Sequence, residues 1–513
     1  MEDHRENTVN LRELLPILYD SRRPRPAAPA DLDVEIKQIV QDDRLVRPGA
    51  LFIARAGESV DGHDFIPLAV QAGAAAIISE RPVPDLRGPA HLVVPDIRTR
   101  LAPLAARFYG EPTGRLHVTG VTGTNGKTST TFRLRTMLAS AGRPTGLLGT
   151  ISYKIGDRVI PAGNTTPDGL RIQELFREMV DIGLTHAAIE VSSHALVLDR
   201  VRDVQFDVAV FTCLSDREHL DFHGTFEDYR DAKARLFEML PPNGYAVLNA
   251  DDPLGEFMAG RTPRRARVLW FGRDRGADVR ADILDMDMTG TTYRLESPGG
   301  STEVRTPFVG EFNVSNDLAA AAAGYAAGLT FDEVAAGLSD GTPIPGRLER
   351  IHADGIYALV DYAHNEGGLQ SVLGAVEPLA PRRLILVFGC GGDRDPSKRP
   401  TMGAVAEKYA DLIFLTADNS RSEQTEQIIE QIERGMTGSK PRTVIPDRAR
   451  AIRAAVNTAE PGDTIIVAGK GHETYQILGK VKAPFDDREE LRDALAERAG
   501  AGISAQTEAI QWK

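Results

Sequence analysis

Cysteine is nearly absent from this chain: Cys213 and Cys390 are the only two in 513 residues, far apart and in no metal-binding pattern. That argues against a disulfide-stapled secreted scaffold and for a reducing compartment with buried thiols. Long apolar runs are missing as well. No stretch approaches the ~18 consecutive apolar residues of a membrane span, and the opening MEDHRENTVNL lacks the apolar core of a signal peptide. Positive charge is in deficit, with 60 Lys and Arg against 73 Asp and Glu, a net −13. A nucleic acid or an anionic membrane would need a basic face, so neither is an expected partner, although local Lys and Arg can still hold small anions. The expectation is a cytoplasmic, monomeric protein acting on small molecules.

What is present is enough chain for about three domains. A proline-rich stretch, SRRPRPAAPA (21–30), reads as an extended tether. Short apolar runs at 34–40, 50–54 and 74–79 follow, broken by Pro48-Gly49 and Asp61-Gly62, and suggest a small α/β unit over 1–110. A second unit, 111–345, has apolar runs at 116–121, 187–191, 208–214 and 245–248 with helical stretches between them, the pattern of a largely parallel sheet. Residues 279–309 alternate and carry Gly-rich turns, as in a meander, and an alanine-rich helix covers 318–327. A third unit, 346–513, alternates strands at 357–361, 384–388, 412–416, 443–445 and 464–468 with helices starting near Leu369 and Met402, a doubly wound arrangement.

The densest chemical signal is Thr122-Gly123-Thr124-Asn125-Gly126-Lys127-Thr128-Ser129. It follows an apolar run and opens a helical pattern, with Leu134, Met137, Leu138 and Ala141 at i, i+3, i+4 and i+7. Glycines let backbone N–H groups close on phosphate oxygens at the positive end of a helix, Lys127 can reach the terminal phosphates, and the Thr128 hydroxyl can bind Mg2+. The spacing is G-x-x-G-K-T, with Val121 where the usual first glycine would stand; an ordinary glycine turn is the plain alternative. Downstream, Glu190 closes an apolar run, His219 follows another, and Lys233 lies fourteen residues beyond His219. After a phosphate loop, Glu190 and His219 read as oxygen and nitrogen ligands for Mg2+; singly they read as a helix cap and a surface histidine.

TGTNGKTS, EVSSHAL (190–196) and HLDFHG (219–224) with the spaced lysine resemble the Mur ligases. FGCGGDRDPSKRP (388–400), DNSR (418–421) and AGKGHETYQ (468–476) are similar to the MurE-type branch, which joins an amino acid to a UDP-N-acetylmuramoyl-dipeptide. The resemblance implies an α/β protein of three domains: a small UDP-binding domain, a P-loop-like central ATPase domain and a Rossmann-like C-terminal domain. It implies ATP and Mg2+, and a ligase that activates a carboxylate as an acyl phosphate before an amine attacks.

Residue by residue, the same resemblance gives Thr128 and Glu190 one Mg2+, and His219 and Lys233 a second, with Lys233 carbamoylated because a free ammonium has no lone pair. Asn313, Asn316, Arg347, Asp361 and His364 would join residues 123–129 around ATP. Asn164, Thr165, Thr166, Ser192 and Arg200 would hold the muramoyl-peptide. Arg394, Asp418, Asn419, Ser420, Arg421, Gly469 and Glu473 would hold the incoming amino acid, with the Arg421 fork suited to a distal carboxylate and Glu473 to a distal ammonium. That favours meso-diaminopimelate over lysine or ornithine. Structural readings stand beside these: Lys233 as a solvated helix lysine, Asn316 as a helix cap, Arg347 as a surface charge, 165–167 as a turn, Arg421 as a solvated loop charge.

Several positions depart from the branch: Asp43 in Asp42-Asp43-Arg44, Leu198, Asn365-Glu366 after DYAH, Ser420 in place of a proline, and one extra residue before His219. They leave open a paralogue resembling cyanophycin or folylpolyglutamate synthetases. VRPGALFIA and DGHDFI, which look like a UDP-sugar grip, speak against it. A P-loop nucleotide-binding regulator is the reading from another class.

Overall fold

The computed structural model describes residues 7–19, 32–57, 60–215 and 220–499, apart from the side chains of Leu220 and Asp221. The expected tether at 21–30 and His219 lie outside the described residues. Three main sheets carry the fold. The first is four-stranded and parallel, Gln38–Val40, Ala50–Ala54, Ala76–Ser79 and Ala90–Val93 in spatial order. The helix Ile97–Phe108 and the short helix Leu11–Leu18 cover one face of it, burying Leu11, Leu14, Ile97, Leu101 and Leu104 against Leu51, Ile53 and Ile78.

The second sheet has eleven strands. At its centre the parallel strands Thr145–Leu148, His186–Glu190, His117–Thr122, Val208–Phe211, Tyr245–Asn249 and Arg267–Gly272 lie side by side. The alternating segment forms an antiparallel meander, Val279–Asp287, Gly290–Ser297 and Gly300–Thr306, which continues this sheet rather than standing apart. The opposite edge is a hairpin, Ser152–Ile155 with Arg158–Pro161, that the sequence reading did not identify. Its Tyr153 and Ile155 are buried, but Arg158–Pro161 is mostly exposed and, at four residues, too short to give a periodic signal.

The helix Lys127–Ser140 packs where its periodicity placed it, with Leu134, Met137 and Leu138 in the core. The alanine-rich helix is longer than expected, Glu311–Ala326, and its Ala319–Ala323 run is wholly buried against that helix and the sheet. It is N-capped by Gly310, so Asn316 is no cap; it sits in the second helical turn. A buried ion pair ties this face together. Arg133 Nε donates to Asp317 Oδ1 at 2.7 Å, Arg133 Nη1 to Asp340 O at 2.9 Å, and Tyr293 OH to Asp317 Oδ2 at 3.2 Å. Burial raises the Asp317 pKa and Arg133 opposes that rise. Asp317→Ala would strand a buried guanidinium, so unfolding free energy in urea should fall by about 3–5 kcal/mol.

The third sheet is six-stranded, with the parallel strands Ile356–Asp361, Thr464–Ala468, Leu384–Phe388, Leu412–Leu415 and Arg442–Val444 and an antiparallel edge at Glu349–Ala353. Separate apolar cores lie on its two faces, as a doubly wound sheet requires. Asn365, odd against the resembling family, has a local explanation. It N-caps the helix Glu366–Val376, its side chain accepting from Gly368 N at 2.7 Å. Asn365→Ala should cost about 1 kcal/mol in a thermal melt. Among the described residues no helix is long and apolar enough to cross a membrane.

Candidate functional site

The carboxyl ends of the central strands meet at one place, where an open α/β sheet binds its ligands. The strand His117–Thr122 ends in the glycine loop, which turns into the helix Lys127–Ser140. Gly123 and Gly126 have φ of 151° and 86°. A Cβ would drive Gly123 into Thr212 Oγ1 and Gly126 into Asn316 Oδ1, so both positions are closed to side chains. The close approach of Asn316 places it beside the phosphate loop. Asn313 braces it: Asn313 Nδ2 donates to Val309 O at 2.8 Å and Asn316 Nδ2 to Asn313 Oδ1 at 3.4 Å.

Lys127 folds back over the loop, its Nζ donating to Gly123 O at 2.8 Å and Thr124 O at 2.9 Å. Thr128 Oγ1 donates to Glu190 Oε2 at 3.0 Å, and Glu190 has no exposed surface. Thr150, unremarked in the sequence, donates to that carboxylate twice: backbone N to Oε1 at 2.9 Å and Oγ1 to Oε2 at 2.9 Å. Hydroxyl and carboxylate oxygens held this close form the hard oxygen set that Mg2+ takes, together with phosphate oxygens. The Thr128–Glu190 pair therefore fits such an ion. Among the described residues no group of three His, Cys, Asp or Glu is clustered as a metal cage.

Lys233 is not a solvated lysine. On the helix Phe226–Glu238 it is 2% exposed, its Nζ donating to Gly123 O at 2.9 Å and lying 4.6 Å from the Tyr229 ring centroid. Tyr229 OH shares a 3.0 Å hydrogen bond with Thr124 Oγ1, which also accepts from Ser215 N. These contacts tie the Lys233 helix to the phosphate loop. Arg347, arriving from the edge of the third sheet, is no plain surface charge either. Its Nη2 donates to Thr128 Oγ1 at 3.3 Å and its guanidinium covers the Tyr362 ring at 4.7 Å. Asp361, at the end of its strand, accepts from Leu348 N and Ala363 N, both at 2.8 Å, and burial raises its pKa while Arg347 works against that. His364 Nδ1 lies 2.8 Å from Tyr362 O on the same turn.

The 164–166 loop is built into this wall. Thr166 Oγ1 donates to Glu190 O at 2.7 Å and accepts from Ser192 N at 3.0 Å; Arg200 Nη1 donates to Thr166 O at 3.0 Å. Thr165 Oγ1 lies 3.1 Å from Thr150 Oγ1, and Asn164 is exposed beside it. Ser192 caps the helix Ser193–Val197, at whose end Leu198 sits. In the first unit, Arg44 pairs with Asp42 at 2.6 Å rather than with Asp43.

A second cluster lies at the carboxyl ends of the third sheet. Asn419 Nδ2 donates to Glu473 Oε2 at 2.8 Å, Gln476 Nε2 to Asp418 O at 3.0 Å, and Ile477 N to Asn419 Oδ1 at 2.9 Å. Gly469, at φ 112°, passes so close that a Cβ would lie 2.6 Å from Asp418 Oδ2. Arg421 has φ 49°; its backbone N donates to Ile477 O at 3.2 Å and its Nη1 to Gly392 O at 2.6 Å. Ser420 replaces ring stiffness with hydrogen bonds: its Oγ is 2.6 Å from Thr425 Oγ1 and its carbonyl accepts from Glu423 N at 3.0 Å. Burial and then the Glu473 carboxylate push the Tyr362 phenol up to about 12.

Residues 35–109 match the Mur ligase family catalytic domain, residues 121–324 the Mur ligase middle domain, and residues 346–471 the Mur ligase glutamate ligase domain. The chain belongs to the Mur ligase family. It is 47% identical over 472 residues, 90% of this chain and 96% of the relative, to the UDP-N-acetylmuramoyl-L-alanyl-D-glutamate–2,6-diaminopimelate ligase of Geobacillus kaustophilus (strain HTA426). The enzyme of that name from Thermosynechococcus vestitus is 44% identical over 494 residues, covering 96% of this chain and 98% of its own. A solved structure of a ligase with that name superposes with a TM-score of 0.67 at 33% identity, over 96% of this chain and 99% of its own. This Mur ligase is accordingly an ATP-dependent enzyme that forms an amide bond.

In this Mur ligase the fold brings Gly123, Thr124, Lys127, Thr128, Glu190, Lys233, Asn316 and Arg347 to one place. Asp418, Asn419, Gly469 and Glu473 meet at another, while Arg394 stands exposed on the neighbouring 391–395 loop. Sequence reasoning missed Thr150, Tyr229, Lys470 and the fully buried Arg399. Arg399 Nη1 donates to Glu423 Oε2 at 2.7 Å and its Nη2 to Gly391 O at 3.1 Å, clamping the 391–393 loop. Lys470 and Arg399 stood inside quoted motifs; only burial, invisible in one sequence, sets them apart.

Proposed function

We propose that this enzyme adds meso-diaminopimelate to UDP-N-acetylmuramoyl-L-alanyl-D-glutamate, a step in peptidoglycan precursor synthesis. The observation that supports the acceptor is that Arg421 and Glu473 both bond to Asn419, Arg421 Nη1 donating to its carbonyl at 3.4 Å and Glu473 Oε2 accepting from its Nδ2 at 2.8 Å, so that a cation and an anion flank one residue. An ammonium and a carboxylate on one carbon of the acceptor would meet them in register, the carboxylate on the planar fork of the arginine.

A carboxylate is a poor electrophile at carbon. The dipeptide carboxylate attacks the terminal phosphoryl group of ATP, ADP leaves, and an acyl phosphate forms. The acceptor amine then adds to its carbonyl and phosphate departs. The glycine loop offers N–H groups to the ATP phosphates, and Lys127 leaves the Gly123 and Thr124 carbonyls to follow the charge of the transferring group. Thr128 and Glu190 would hold one Mg2+, and His219 and Lys233 a second. Bound there, the ions would offset phosphate charge. Lys233 would serve as a carbamate, formed when its neutral amine takes up CO2 and releases a proton. Asn313, Asn316, Arg347, Asp361 and His364 would frame the nucleotide, and Asn164, Thr165, Thr166, Ser192 and Arg200 the muramoyl-peptide.

Domain limits near residues 110 and 345 would let the nucleotide and acceptor sites close on each other. One chain carries every residue assigned, which supports a monomer, and the use of ATP and a free amino acid supports a cytoplasmic reaction. Phosphate release measured with the UDP-dipeptide and, in turn, meso-diaminopimelate, lysine and ornithine tests the reading. Turnover should require the acceptor and favour diaminopimelate. Hydrolysis independent of any acceptor would instead indicate a nucleotide-binding regulator, and turnover only with other substrates a paralogue.

A further inference from the structure

Lys470 has no exposed surface, yet it carries an ammonium into the amino-acid pocket. Its Nζ donates to Glu473 Oε2 at 2.8 Å and to Asn419 Oδ1 at 3.2 Å, and it lies 5.5 Å from the centroid of the Tyr475 ring. Asn419 Nδ2 donates to the same Glu473 oxygen at 2.8 Å. Both internal donors therefore fall on Oε2, and among the described residues Oε1 takes no hydrogen bond. Glu473 is thus half-used: fixed in orientation and partly neutralised, with one oxygen left for a ligand.

We infer that Lys470 sets the charge balance of this pocket and so selects an acceptor whose far end is a zwitterion over one whose far end is a bare ammonium. This rests on the acceptor reading above and gives it a second determinant besides Arg421. Of the residues assigned to the acceptor, Arg394 and Arg421 are cations and Asp418 and Glu473 anions, and the buried Lys470 adds one positive charge to that balanced set. Behind it Arg448 and Asp487 pair at 2.7 Å and cancel each other. The distal carbon of diaminopimelate bears an ammonium and a carboxylate, summing to zero, whereas lysine and ornithine end in one positive charge. A bare ammonium meets that surplus positive charge without compensation, whereas a zwitterion, neutral in sum, does not. Without the Lys470 charge the set would be neutral, and the penalty on the bare ammonium of lysine would fall. The discrimination comes from a repulsive element as much as from the attractive fork of Arg421.

Lys470→Gln keeps an amide donor near Asn419 and Glu473 and removes only the charge; Lys470→Met removes both. For wild type and each variant, kcat/KM would be measured with meso-diaminopimelate and with lysine, alongside the KM for ATP. The diaminopimelate-to-lysine ratio should fall about tenfold or more in both variants, with the KM for ATP nearly unmoved. Loss of both acceptors in equal proportion would overturn the inference. Should the single variants fail to fold by circular dichroism, Glu473→Gln and Lys470→Gln/Glu473→Gln supply the comparison. The double variant must then shift the ratio toward lysine relative to Glu473→Gln, and an unchanged ratio again rejects the role. Wild-type enzyme that ignores diaminopimelate would defeat the acceptor reading itself, a result separate from any change in the variants.

Discussion

Lys233→Ala is expected to lower acceptor-dependent phosphate release by about a thousandfold, the scale on which losing a charge-stabilising group slows phosphoryl and acyl transfer. The reason lies in the position of the side chain. Lys233 is 2% exposed and its Nζ is 2.9 Å from the carbonyl of Gly123, the residue that opens the phosphate loop. A plain ammonium there would add positive charge without coordinating anything, because it has no lone pair. A carbamate at the same atom would reverse the sign and supply two oxygens. Lys233→Arg separates the two: it keeps the cation but cannot take up CO2, so it should be as inactive as the alanine variant. A short carboxylate such as propionate, added to Lys233→Ala, should restore part of the rate by filling the vacated space. Full activity in Lys233→Arg would remove the carbamate from the proposal and leave the lysine as a simple cation.

Arg421→Ala carries the second large expectation: kcat/KM for meso-diaminopimelate should drop roughly a hundredfold, about 3 kcal/mol, while the KM for ATP stays within twofold. Arg421 sits at φ 49°, a left-handed conformation that costs a non-glycine residue about 1 kcal/mol or more. The backbone bond to Ile477 O and the side-chain bond to Gly392 O hold it there, so the guanidinium is aimed rather than free. Arg399 and Glu423 lock the Gly391–Asp393 loop that receives it, with Asp393 N donating to Glu423 Oε1 at 2.6 Å. Arg421→Lys keeps the charge and loses the fork, and should fall between wild type and alanine. Equal loss for diaminopimelate and lysine would show that Arg421 orders the loop without reading a distal carboxylate.

Read alone, the chain specified most of what depends on local pattern. Strand, glycine loop, Lys127-Thr128 and helix are adjacent in sequence, so the nucleotide chemistry was legible from spacing and from the periodicity of Leu134, Met137 and Leu138. The doubly wound third sheet was legible because its central strands, Leu384–Phe388 and Thr464–Ala468, are short, nearly continuous apolar runs buried on both faces. Motif spacing likewise marked Glu190, Lys233 and the Asp418–Arg421 loop. Other features depended on contacts between residues far apart in the chain. That Asn316 abuts Gly126 instead of capping a helix, that Arg347 reaches Thr128, and that the meander extends the central sheet followed only from packing. So did the burial of Lys233 and Lys470, since a lysine in a helix or a loop looks solvated until its surroundings are known. The physical reason is the range of each interaction. Backbone conformation and periodicity are set within a few residues, and a sequence displays them directly. Desolvation, charge balance and steric closure are set by whatever the fold brings alongside, and in this enzyme those terms decide how the pocket around Glu473 is charged.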